Sequence, residues 1–416
     1  MWLICLLAMP AAAAATPEAP ALAEAMAAAR RCLDTGALDR AQQAADEAVR
    51  LAQQSSDPNT QAAALNLRGL VAAHKLDPDA AAADWHEALA LATRPDLRAG
   101  IVDSQAADLA RRGRSQAALE LVRRALGELP QEAVLWRREG ETLLAMHRPP
   151  EALAAFERAA SLRPAGEAGP QDGLAALGAE AALDVGDPAA ALRWMERCRV
   201  AEALAGPGRP ALPAEAQRGL LQSLAAIEAA PLAVARARLA TLPASLLIEF
   251  QVGPRRVALV AVSPTAARVA EVPLVADEFA YLAAQVRNEA SAGVAGEHAA
   301  LLSRQLFAPC ADLLPTGPRP PGPVLIVGPA SVRGLPFDAL LRVSPSRAAG
   351  TGVVTAASLA AVAIAHPVAA AAAPAEPGTG VRRAGLTVAL SMISAACLAV
   401  MVGYALRRSW KGRAEA

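Results

Sequence analysis

Aromatic side chains are scarce in this 416-residue chain: five Phe, five Trp and two Tyr make up 3% of it, although 54% of its residues are hydrophobic. The apolar excess is therefore mostly alanine, the best helix former and a residue that lets helices approach closely, so the composition leans helical. Lysine is almost absent, with only Lys75 and Lys411, so nearly all of the 40 basic residues are arginine. That skew, together with the richness in Ala and Pro, points to a GC-rich bacterial genome and carries no chemistry. The 40 basic residues are balanced by 40 acidic ones, which argues against a general nucleic-acid binder, since such a protein would carry a basic surplus. The five cysteines, Cys5, Cys32, Cys198, Cys310 and Cys397, share no metal-ligand spacing, and the five histidines are equally scattered. That pattern argues against a disulfide framework, a zinc site and the common metalloenzyme signatures. No metal and no cofactor is expected. The length allows two or three domains with ample core.

What is present begins with two apolar ends. Residues 1–15 read MWLICLLAMPAAAAA, an apolar run followed by small residues, the shape of a secretory signal, although no basic residue precedes it. At the other end, Ala384–Leu406 is a 23-residue stretch without charge. At about 1.5 Å per residue it reaches roughly 34 Å, enough to cross a bilayer core with some tilt. Arg382 and Arg383 precede it, and Arg407, Arg408, Lys411 and Arg413 follow it. The positive-inside rule then places the tail, 407–416, in the cytoplasm and the body outside the inner membrane, a single-pass arrangement with a periplasmic body. Ser391, Ala395, Ala399 and Gly403 recur every four residues along the span, a small-residue stripe suited to pairing with a second copy.

Between the ends lies an internal repeat. The clearest copy, Ala133–Gly166, carries Trp136, Gly140, Leu143, Ala152, Phe156, Ala159 and Pro164. This resembles the tetratricopeptide repeat, with those residues at positions 4, 8, 11, 20, 24, 27 and 32 of 34. Position 7 departs, being Glu139 where an apolar residue is usual. Further copies start near residues 22, 62, 99 and 172, the last marked by Gly186, Ala191, Met195 and Cys198. The resemblance implies an array of about five helix pairs over 22–205, with a concave groove lined by the first helix of each pair. By family position the groove candidates are Arg30, Asn66, Asp103, Arg111, Arg137 and Glu141, and the expected partner is a protein or peptide.

After Gly206–Pro213 breaks the helical pattern, 214–242 reads as a helical linker of one or two helices. The texture then changes. Ser245–Val252 and Arg256–Ser263 are strand-like runs joined by a Gly-Pro-Arg turn, and Ala267–Leu274 continues the sheet. Glu278–Glu289 and Glu297–Leu314 read as helices, and Val324–Val327 (VLIV) as a short buried strand. The order of these elements, with Leu335-Pro336-Phe337 and Ala339-Leu340, resembles the CHAT family of caspase-like peptidase domains attached to tetratricopeptide arrays. The likeness covers 243–365, and Val353–Ile364 resembles that family's next strand and helix. The family's His-Gly and Ala-Cys elements are not found: His366 is followed by Pro367, and Cys397 lies inside the apolar span. The fold class expected is thus a tetratricopeptide solenoid, a partial caspase-like α/β sheet and one transmembrane helix, with a low-complexity tether at 367–380.

The function that follows is a membrane-anchored scaffold that binds protein and is catalytically incomplete. Two alternatives stay open: a cysteine peptidase completed elsewhere, for instance by Cys310 meeting His298, and a transmembrane signalling protein.

Overall fold

The computed structural model describes residues 18–163, 173–205, 212–242, 244–253, 256–292, 296–314, 323–342, 353–356 and 358–361. The expected signal (1–15), tether (367–380), span (384–406, with Ser391, Ala395, Ala399 and Gly403) and tail (407–416) lie outside them. Among the described residues no single helix is long and apolar enough to cross a membrane. The chain divides into two units, Met1–Trp194 and Met195–Ala416.

The first unit is built of helix pairs: α1 (Glu18–Asp34) with α2 (Leu38–Ala52), α3 (Pro58–His74) with α4 (Pro78–Leu91), α5 (Pro95–Arg111) with α6 (Ser115–Glu128), and α7 (Ala133–Ala145) with α8 (Pro149–Ser161). The fifth is α9 (Leu174–Val185) with α10 (Pro188–Ala205), and the division between units falls inside α10. Proline opens α3, α4, α5 and α8, where a missing N–H costs nothing. Asp57 caps α3, accepting from the N–H groups of Asn59 and Thr60, both at 3.1 Å. The turn inside each pair carries one residue in the left-handed region: Gly36, Leu76, Gly113, His147 and Gly186, with φ between 55° and 75°. Glycine adopts that conformation freely; Leu76 and His147 hold it at a cost.

Pairing is fixed by a notch in the first helix. A Cβ on Gly69 would lie 2.8 Å from Nε1 of Trp85, one on Gly140 2.4 Å from Cε1 of Phe156, and one on Gly178 2.3 Å from Cε3 of Trp194. Each large ring sits 16 residues after its glycine. Where the first-helix residue at this place is alanine, the partner shrinks: Ala106 with Val122 and Ala29 with Ala45, all fully buried. In the fifth pair the notch falls one residue earlier than the repeat frame predicts, at Gly178 and Trp194 rather than Ala179 and Met195. The physical reason is that only Gly178 leaves room for an indole.

Glu139, the departure from the repeat pattern, is buried and accepts from Nε of Arg123 at 2.7 Å. A charged residue stands there because it has a partner. Trp136 is half-buried, and its indole N–H donates to the carbonyl of Pro130 at 2.9 Å, tying down the loop before α7.

The second unit contains the end of α10, then α11 (Ala214–Ala229) and α12 (Pro231–Thr241), and a five-stranded sheet in the order β3-β2-β1-β4-β5. The strands are β1 (Leu246–Val252), β2 (Val257–Val262), β3 (Ala267–Val272), β4 (Val324–Val327) and β5 (Val353–Ala356). The first three form an antiparallel meander, and β4 and β5 add parallel to β1. One sheet face (Leu246, Ile248, Phe250, Val257, Leu259, Val324, Ile326) packs under α13 (Ala276–Ser291), α14 (Glu297–Phe307) and α16 (Phe337–Arg342). Between β4 and α16 lies the one-turn helix α15 (Ala330–Arg333). The Leu335-Pro336-Phe337 element serves this core: the Phe337 ring stacks on Phe250 at 6.3 Å and meets Phe307 edge-on at 6.4 Å. Helix α14 stops at Phe307, short of the expected Leu314. Ala308–Cys310 is a single 3-10 turn, because Pro309 has no N–H with which to continue the helix. Strands β1 and β2 also contact α12.

Candidate protein-interaction surface

In the array, α2, α4, α6 and α8 each pack on their own first helix and on the next one, α2 on α3, α4 on α5, α6 on α7 and α8 on α9. The first helices also touch in order, α1 to α3 to α5 to α7 to α9, and so form one continuous face. All six expected groove residues lie on these helices: Arg30 on α1, Asn66 on α3, Asp103 and Arg111 on α5, Arg137 and Glu141 on α7.

Three of the six meet. Arg137 Nη2 donates to the two carboxylate oxygens of Asp103 at 3.3 and 3.4 Å, bridging α5 and α7. Arg138, which sequence reasoning missed, donates through Nε to Asp103 at 2.7 Å. Glu141 accepts from both arginines. All four side chains are only 15–20% exposed. Burial works against the charge on Arg138, but Asp103 and Glu141 outweigh it and hold its pKa above the usual value. The cluster is thus a neutral quartet. A ligand carboxylate reaching Arg137 must displace Asp103 or Glu141.

The other three stand apart. Arg111 donates to Asp108 at 2.8 Å, a carboxylate that Arg112 also contacts at 2.7 Å. Asn66 is half-buried, and its Oδ1 is enclosed with no hydrogen-bond partner among the described residues. Arg30 is exposed. Nearby, His74 has its pKa lowered by burial and by Arg111, with Asp108 opposing, which favours its neutral form. Sequence reasoning also missed the pair inside the second repeat, where Arg68 grips Asp84 through Nε (2.9 Å) and Nη2 (2.5 Å).

In the second unit Cys310 lies in the apolar core, where burial, with Asp312 adding to it, pushes its thiol up to about 12. His298 is engaged elsewhere: Nδ1 lies 2.6 Å from Glu289 Oε1, and its ring meets Tyr281 edge-on at 6.3 Å. A carboxyl that could have been noticed in the sequence is Glu249, the one acid in the otherwise apolar or neutral strand LLIEFQV, and it is fully buried. Among the described residues no three His, Cys, Asp or Glu side chains are grouped to hold a metal ion.

No family model matches the chain, and no curated protein matches it. Among solved structures, it is similar to PilF of Pseudomonas aeruginosa, with 18% identity, 54% of this chain and 92% of that chain covered, and a TM-score of 0.34.

Proposed function

We propose that this protein is a membrane-anchored scaffold that binds a protein or peptide on the first-helix face of its array. The observation that carries the reading is the repeated close contact between residues 16 apart, a glycine against a large ring in three pairs and an alanine against a smaller side chain in two, which builds stacked helix pairs with one continuous face. Arrays of this kind present extended surfaces to partners. The charge-neutral quartet at the centre of the face suits a partner read by shape and hydrogen bonds, since no surplus charge steers it.

The anchor rests on the uncharged stretch Ala384–Leu406 and its flanking arginines, and the periplasmic body on the charge bias across it. The second unit is read as a non-catalytic relative of the CHAT sheet over 243–365, on the order of its sequence elements. The enclosed, protonated thiol of Cys310 and the engagement of His298 by Glu289 favour that over a peptidase.

The test is position-specific photocrosslinking in membranes. A photoreactive residue at Ala107, on the first-helix face, should trap a discrete adduct, and one at Glu120, exposed on α6, should not. Equal trapping at both positions refutes the surface. Release of the full chain by alkaline carbonate refutes the anchor.

A further inference from the structure

The turn between α5 and α6 reads Arg111-Arg112-Gly113-Arg114, and all four residues are exposed. Three guanidinium groups there are set against one carboxylate. Asp108 takes both Arg111, at 2.8 Å, and Arg112, at 2.7 Å. The Arg114 side chain has no ion pair and no hydrogen bond among the described residues, so all five of its N–H donors are open. Gly113 holds φ +74°, and a Cβ there would meet nothing within 4 Å, so the turn is uncovered at that point.

Arg114 also works against its own helix. It stands at the N-cap of α6, and its side chain caps nothing. Two sister pairs carry an acid at this place. Asp77 accepts the N–H of Ala80 at 3.1 Å before α4, and Asp187 that of Ala189 at 2.9 Å before α10. An acid there satisfies an open N–H and suits the positive end of the helix dipole, and an arginine does neither. In α2 the place is held by neutral Ala37. Arg148, at the start of α8, is the other arginine, but Glu151 takes up its guanidinium at 2.6 and 2.5 Å. Arg114 alone forgoes a cap without gaining a partner inside the fold. A residue that breaks a local rule with no compensation in the fold is expected where the chain meets something else.

We propose that the turn 111–114 binds a short acidic segment of the partner, whose Asp or Glu carboxylates pair with Arg112 and Arg114. The inference rests on the reading that the array binds protein, and it adds a chemical requirement to that partner. A guanidinium offers two parallel N–H donors to the two oxygens of a carboxylate. Arg111 ends α5, so the turn prolongs the first-helix face at one edge. The quartet leaves the centre of that face neutral, and the turn supplies the local surplus that orients an acidic segment. The surplus is confined. Residues 18–92, the two pairs before it, carry eleven acidic side chains against six basic ones. A long polyanion laid along the array meets repulsion there, whereas a segment of a few residues does not. That favours an acidic peptide over a nucleic acid.

The experiment is fluorescence anisotropy on the full chain in non-ionic detergent, with a labelled octaglutamate peptide and an octaglutamine control. Octaglutamate should bind more tightly than the control, and less tightly as salt rises from about 50 to about 200 mM. Arg114→Asp should weaken it by about tenfold, because an attraction becomes a repulsion of similar size. Arg124→Asp makes the same change of charge further along α6, about 15 Å away, and should alter binding by less than about twofold. Urea denaturation runs alongside: Arg114→Asp supplies the acid that Asp77 supplies to α4, so its midpoint should rise. Octaglutamate that binds no better than octaglutamine overturns the proposal. So does equal weakening by the two variants, a lowered urea midpoint for Arg114→Asp, or tighter binding of a single-stranded oligothymidylate of equal length. The two readings fail separately. Loss of the discrete Ala107 adduct removes the array face as the binding surface, whereas failure of octaglutamate with that adduct present removes only the acidic requirement.

Discussion

The notch between α7 and α8 offers the most direct test of how the array is held together. Adding a methyl group by Gly140→Ala places a Cβ 2.4, 2.7 and 2.8 Å from three ring carbons of Phe156, where ordinary carbon contacts lie near 3.5–4.0 Å. The ring is fully buried, so it has nowhere to go, and overpacking of this kind costs about 1–3 kcal/mol. Alanine returns about 1 kcal/mol through helix propensity. Contacts this far inside van der Waals distance put the overpacking at about 2–3 kcal/mol, so the net cost expected is about 1–2 kcal/mol. Phe156→Val alone opens a cavity and should cost about 2–3 kcal/mol, less than the full truncation to alanine. The chain already contains the compensated pair, Ala106 with Val122. The double variant Gly140→Ala/Phe156→Val should therefore cost less than the sum of the single changes by about 2 kcal/mol, a coupling within the range seen for touching residues. Equilibrium urea denaturation of the four proteins measures it. Strict additivity, or a neutral Gly140→Ala, would refute the notch as the pairing determinant.

Three further outcomes are expected. Leu76 is 84% exposed with φ +64°, so Leu76→Gly should relieve about 1–2 kcal/mol of left-handed strain and return part of it through unfolded-state entropy, for a net gain of about 0.5–1 kcal/mol; a lower Tm in thermal unfolding contradicts this. Asp84→Ala strands Arg68, whose other carboxylate, Asp46, is 3.9 Å away; because the Arg68 side chain is 29% exposed, the loss should be at the lower end of the 1–3 kcal/mol range, about 1–2 kcal/mol, and Arg68→Met in that background should recover part of it in the same urea assay. Cys310, buried with its thiol near 12, should react with a disulfide reagent at pH 8 only as fast as the domain opens, since only the thiolate attacks. Rapid labelling of the native protein, abolished by Cys310→Ala, would restore the peptidase reading.

Much of the helical architecture is legible in the sequence alone. The buried alanines at the helix crossings, Ala41, Ala81, Ala118 and Ala152, fall on the expected repeat positions and are fully buried. They could be read because the contacts of a helix pair are local, within about 16 residues, and a periodic pattern reports which side of a helix is covered. The β1–β2 hairpin and the VLIV strand were legible for the same reason. Tertiary structure alone decided the rest. Periodicity does not say which ring fills which notch, and Gly178 with Trp194 departed from the frame by one residue. Nor could spacing show that Asp103 on α5 would pair with Arg137 and Arg138 on α7, since ion pairs need separations of a few ångströms that only the stacking of helices sets. Glu249 is the extreme case: as a letter it is an ordinary surface acid, and only the tertiary structure encloses it fully, with no hydrogen-bond partner for either oxygen among the described residues.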